Sequence, residues 1–175
     1  MNKKLFIIGA IFVIIVGTLW HFVYEWSGDN LYVGLIAPVN ESVWEHMKLV
    51  FFPMLIFGVF EYFYLKKSTK NFFFSFFIKQ ISAIIFIIAV FYLYNIYTHE
   101  SILAIDISSF IVAVILAEFL FYKLIVKKSG IKYEQAAKLL IIILFVFFLY
   151  ATISPPNNQL FQDPVSGGYG IISNR

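Results

Sequence analysis

The sequence predicts an all-α integral membrane protein, a bundle of five transmembrane helices with a cytoplasmic N-terminus and an external C-terminus. Three observations carry this prediction. Of 175 residues, 61% are hydrophobic and only 13% charged. A soluble domain of that size cannot bury so much apolar surface, so lipid must be the solvent for much of it. Five apolar runs suited to crossing a bilayer follow one another, and the lysines fall almost entirely on one side of the resulting layout.

The first run, residues 5–24, is long enough for a ~30 Å hydrocarbon core at about 1.5 Å per residue. It follows Lys3 and Lys4 as a signal peptide would, but no small-residue cleavage site comes after it. It reads as a retained anchor. The second span covers 46–65, the third 72–97, the fourth 102–126 and the fifth 137–153. Pro53 has no N–H for the carbonyl of Leu49 and should kink span two. Between spans one and two, the apolar piece 31–39 is too short to cross. Gly28, Gly34 and Pro38 punctuate it, so a short re-entrant or interfacial loop is expected. The tail, 154–175, is rich in Pro and Gly and cannot be helical throughout. No soluble linker or repeat divides the chain, so 1–175 is a single transmembrane domain.

Lys3, Lys4, Lys66, Lys67, Lys70, Lys123, Lys127, Lys128, Lys132 and Lys138 lie on one side of this layout. Lys48 and Arg175 lie on the other, and Lys79 sits within a span. That asymmetry places the N-terminus inside. Trp20, Trp26 and Trp44 then fall at the outer interface, where indole rings are favoured. The net charge of +3 is a matter of orientation and not of nucleic-acid binding. The partners implied are membrane lipids, with a homo-oligomer required if five spans are to form a transporter. The Phe, Ile, Lys and Asn excess suits an AT-rich genome. The expected location is a bacterial cytoplasmic membrane, crossed several times. The absence of cysteine excludes disulfides and thiolate metal sites.

Polar residues gather on the outer half. Within "PVNESVWEHMK" (38–48), Ser42 and Glu45 fit a capping box, with Asn40 as an alternative cap. Capping leaves His46, the second Glu and Lys48 unexplained. His21 and Glu25 are four apart, hence on one helical face, as are Glu41 and Glu45. Imidazoles with carboxylates and no thiolates suit zinc or another divalent metal. The expected metal ligands are His21, His46 and one carboxylate, Glu25 first with Glu41 or Glu45 as alternatives, and the expected catalytic groups are Glu41, Glu45 and His46. Asn40, Trp44, Lys48 and Asp163 are candidate binding residues, the last on a tail able to fold back as a lid. No H-E-x-x-H, nucleophile elbow or Walker loop is present. Deeper in the bundle, Glu61, Lys79 and Glu118 fall at matching depths and should form an intramembrane ion pair across three spans.

"HFVYEWSG", "PVNESVWEHMKL" and "LFQDPVSGGYGI", with the signature P-V-N-E-S-x-W-E-H-x-K, together resemble a family of small uncharacterised bacterial integral membrane proteins. The resemblance covers nearly the whole chain and implies a polytopic membrane protein without implying an activity. From the residues, the expected function is an outward-facing metal-assisted hydrolase or transferase acting on a lipid or lipid-linked substrate. The alternatives are a small ion or solute transporter component and a non-catalytic membrane scaffold.

Overall fold

The computed structural model describes residues 3–171. Arg175, half of the expected outer positive charge, lies outside them, as does the end of the 154–175 tail. Among the described residues there is no β-strand, only one isolated bridge between Gln162 and Tyr169. Eight α-helices run α1 (Lys4–Trp20), α2 (Val23–Trp26), α3 (Leu31–Gly34), α4 (Val43–His46), α5 (Lys48–Leu65), α6 (Phe72–Thr98), α7 (Leu103–Lys127) and α8 (Glu134–Ile153).

Among the described residues, four helical segments are long and apolar enough to cross a membrane: Val43–Leu65, Phe72–Thr98, Leu103–Lys127 and Ile131–Ile153. The first joins α4 and α5 through Met47, and the last adds a 3-10 turn, Ile131–Tyr133, to α8. Just over half of the first segment is buried, against 22–28% of the other three. The α4–α5 segment is therefore the centre of the bundle, and its neighbours turn rows of apolar side chains outward. Ile142, Ile143 and Val146 of α8 and Ile7, Ile11 and Ile15 of α1 are all exposed. Such a surface suits hydrocarbon.

The 5–24 run is not one continuous helix. At 17 residues, α1 extends about 25 Å at 1.5 Å per residue, less than a ~30 Å hydrocarbon core. After Trp20 the ladder tightens to an i→i−3 bond, from Phe22 N–H to Leu19 O at 3.1 Å, and α2 restarts at Val23. Such tight turns are common at helix ends.

Helix α1 packs against α5 and α7 through Phe6, Gly9, Val13 and Gly17, which recur on one face. Helix α5 continues through Pro53. The Leu49 carbonyl that Pro53 cannot bond is covered by α1: a Cβ added to Gly17 would stand 2.5 Å from Leu49 O. Glycine there lets the two backbones meet.

The lysine-rich end is fastened by side chains that satisfy exposed backbone groups. Asn71 donates to Leu124 O at 2.8 Å and Ser129 O at 2.9 Å. The Glu134 carboxylate accepts from Phe73 N–H and Phe74 N–H, both at 2.9 Å. An acid thus caps the start of α6 from another segment, where orphan N–H groups and the helix dipole favour it.

At the opposite end the loop 27–42 packs onto the protein. Asn30 caps α3 by accepting from Tyr32 N–H at 3.0 Å, and Trp20 Nε1–H donates to Ile36 O at 2.8 Å. The tail also folds back. Trp44 N–H donates to Leu160 O at 3.0 Å, and Asn40 Nδ2–H to Gly170 O at 2.7 Å. Phe51, Phe148, Trp44 and Phe161 stack in sequence at centroid separations of 4.4, 4.5 and 4.8 Å, joining α5, α8, α4 and the tail.

Candidate metal-binding site

The segment Asn40–His46 is shaped by two local caps. Asn40 Oδ1 accepts from Ser42 N–H at 2.9 Å, turning the chain, and Ser42 Oγ accepts from Glu45 N–H at 3.3 Å to start α4. This is half of the expected capping box. The Glu45 carboxylate does not return to Ser42, because it is held elsewhere. Its Oε2 accepts from Lys48 Nζ at 2.6 Å and from Val39 N–H at 3.0 Å, and its Oε1 from Thr152 Oγ1 at 3.5 Å.

With Ser42 as the cap, Glu41 precedes the helix and its side chain turns back toward α1. Glu41 Oε2 lies 3.4 Å from His46 Nε2 and 3.7 Å from His21 Nε2, and the two imidazole centroids are 5.3 Å apart. One ligand atom from each of His21, Glu41 and His46 lies within 4.8 Å of the others. Ligand atoms around a tetrahedral zinc are about 3.3 Å apart at bond lengths of about 2.0–2.1 Å. The two contacts to Glu41 are near that spacing, and the two histidines lie within 4.8 Å of each other.

The His46 ring is fixed from behind, with Nδ1 2.9 Å from Ser42 O. With a proton on Nδ1 donated to that carbonyl, Nε2 donates to Glu41 while it carries a proton, and an arriving metal ion would displace that proton to reach the lone pair, with Nδ1 held as metal-ligating histidines commonly show. The two imidazoles, His21 first and then His46, hold the Glu41 carboxyl well below its ordinary value of 4.5, against the opposing effect of its partial burial. Glu41 is therefore ionised and ready to act as a ligand. Each of the three side chains stays 31–50% exposed, so an ion can reach them. A cleft of about 200 Å³ lies alongside, lined by His21, Glu25, Asn40 and Glu41 among others.

Glu25 lines this cleft but is outside the group of three. It lies beyond the turn at Phe22, so the helical register expected to align it with His21 does not run through. Helix-face spacing also put Glu41 beside Glu45, whereas the two diverge because Glu41 is not helical. The Ser42 cap read from the sequence carries this consequence, since the residue before an N-cap is free to turn.

The expected binding residues hold the structure together. Lys48 is fully buried, donating to Gly34 O at 2.8 Å and Ala37 O at 3.1 Å as well as to Glu45. Trp44 is buried in the aromatic stack, and Asn40 ties the tail. Asp163 accepts from Val165 N–H and Ser166 N–H, both at 3.2 Å, and from Ser166 Oγ–H at 2.5 Å, closing its own loop. In the bundle interior, Lys79 Nζ lies 2.9 Å from Glu61 Oε2 and 2.5 Å from Glu118 Oε1, joining α5, α6 and α7.

No curated protein and no solved structure matches the chain. A model for a family of unknown function (DUF6512) matches residues 1–171, nearly its full length, and the chain belongs to that family.

Proposed function

We propose that this member of a family of unknown function is a five-span membrane protein whose lysine-poor end carries a divalent-metal centre for hydrolysis or transfer on a lipid or lipid-linked substrate. The observation that carries the reading is the approach of His21, Glu41 and His46 to within 4.8 Å of one another. Two imidazoles and one carboxylate are the ligands of one well-known class of catalytic zinc site, with a fourth position left for water. The ten lysines near the other end support an orientation in which this site faces outward. The first span is then α1 with the turn and α2 extending it toward the surface.

A zinc ion held by His21, Glu41 and His46 would lower the pKa of a water to about 7 and so supply a nucleophile at neutral pH. Glu25, free of the ligand set and lining the same cleft, would accept the proton of the water that attacks the carbonyl carbon or phosphorus of the ester, and return it to the leaving oxygen as that bond breaks. Glu45 is held by Lys48 and has no part in this chemistry. A site level with lipid head groups suits a substrate whose apolar part stays in the membrane.

The test is full-length protein reconstituted with zinc in vesicles of mixed phospholipids, with soluble head groups followed by mass spectrometry. Wild type should release product, His46→Ala should not, and Glu25→Gln should be slower by about 10²-fold or more, as for loss of a general base. Wild type that binds zinc but releases nothing from any lipid class would remove the enzyme reading.

A further inference from the structure

The buried cluster of Glu61, Lys79 and Glu118 contains two carboxyls and one ammonium. Lys79 Nζ contacts both oxygens of Glu61, at 2.9 and 3.1 Å, and Glu118 Oε1 at 2.5 Å. The three side chains are 0%, 0% and 4% exposed. Phe121 and Phe76 flank the ammonium, with ring centroids at 4.8 and 5.6 Å. With every group ionised the cluster carries one net negative charge. An uncompensated charge at membrane depth is costly, so the cluster favours a compensating positive charge.

Glu118 is where that charge can enter. Its Oε1 touches the ammonium, while Oε2 is buried with no hydrogen-bond partner. Helix α1 passes it with Gly9, whose missing side chain makes room for the carboxyl: an added Cβ would stand 2.7 Å from Glu118 Oε1. Glu118 also lines a mostly apolar cleft of about 380 Å³ between α1 and α7, with Phe6, Ala10, Tyr122, Lys3 and Lys123. Lys3 begins α1 and Lys123 is near the last turn of α7, so the cleft leads toward the lysine-rich end. The ion pair of Glu118 is to Lys79 of α6, and Glu61 of α5 is the second acid on the same ammonium.

We propose that Glu61, Lys79 and Glu118 form a binding site for a single proton, shared by the carboxyl pair at neutral pH and exchanged with water through the α1–α7 cleft. The site is independent of the metal reading. It gives the chain a proton store within the bilayer, open toward the lysine-rich side. Since the two acids share one ammonium, the proton belongs to the pair and not to one residue.

Infrared spectroscopy of the full-length protein in lipid vesicles tests this through the C=O stretch of a protonated carboxyl. Wild type at neutral pH should show a band equivalent to one carboxyl, shifting promptly in D2O. Both Glu61→Gln and Glu118→Gln should lack it, because each leaves one acid for one ammonium. Circular dichroism checks that these near-isosteric variants are folded, and either one alone suffices. Lys79→Met, if folded, should show about twice the band, as expected for two acids without a counter-charge. Wild type without the band overturns the proposal, as does a band that persists in both Gln variants or resists exchange. Absence of the band together with stabilisation by sodium or potassium would assign the compensating charge to a metal cation instead.

Discussion

Lys48 shows how far one residue's role depends on what folds around it. Its position between an acidic motif and an apolar span suggests an external charge, yet its ammonium meets three acceptors inside the protein: Gly34 O, Ala37 O and Glu45 Oε2. Those are all the donors an ammonium has. The two carbonyls belong to the loop before α4, and no periodicity in the sequence brings them to Lys48. Lys48→Met should leave a buried carboxylate without its counter-charge and take a donor from two carbonyls, at a cost of about 3–5 kcal/mol. Thermal unfolding in detergent should show a large fall in midpoint, partly restored when Glu45→Gln is added. An unchanged midpoint would mean that the pair is not buried as described. The Ser42 cap, by contrast, was legible, because it depends only on a short polar side chain preceding an apolar helix.

At the scale of elements, the four long apolar segments were readable because length and hydrophobicity alone define them. What could not be read was the phase of α1 beyond Trp20, since a single tightened bond at Phe22 resets the face on which Glu25 lies. The contact between α1 and α5 is a second case. Pro53 announced a free carbonyl at Leu49, but nothing in the sequence linked it to Gly17, more than thirty residues earlier. Gly17→Ala drives a methyl group against that carbonyl and into the Phe110 ring. It should destabilise the bundle by about 1–3 kcal/mol, as overpacking does. Ile11→Ala, on the exposed face of α1, serves as the control and should change stability little. Equal effects of the two in chemical denaturation would show that α1 does not pack through this face.

Across the whole molecule, charge is arranged in three layers: lysines at one end, the Glu61–Lys79–Glu118 cluster within the bundle, and histidines with acids at the other end. The first layer and the depth of the second were visible in the sequence, because both follow from where charged residues fall along apolar runs. The metal group was visible only in outline. His21 and His46 come from segments 25 residues apart, and the choice of Glu41 over Glu25 is made by the loop that brings α4 back beside α1. The folded tail holds that loop through Asn40 and Trp44, so the site is a product of the complete chain. The most direct measurement is calorimetric titration of zinc into the purified full-length protein, with His46→Ala and Glu41→Gln alongside. The proposed metal centre predicts one zinc per chain in wild type. Affinity should fall in each variant by more than about 100-fold, the upper end of what loss of a mere supporting residue costs. Wild type that binds no zinc, or variants that bind it as tightly, would contradict the account.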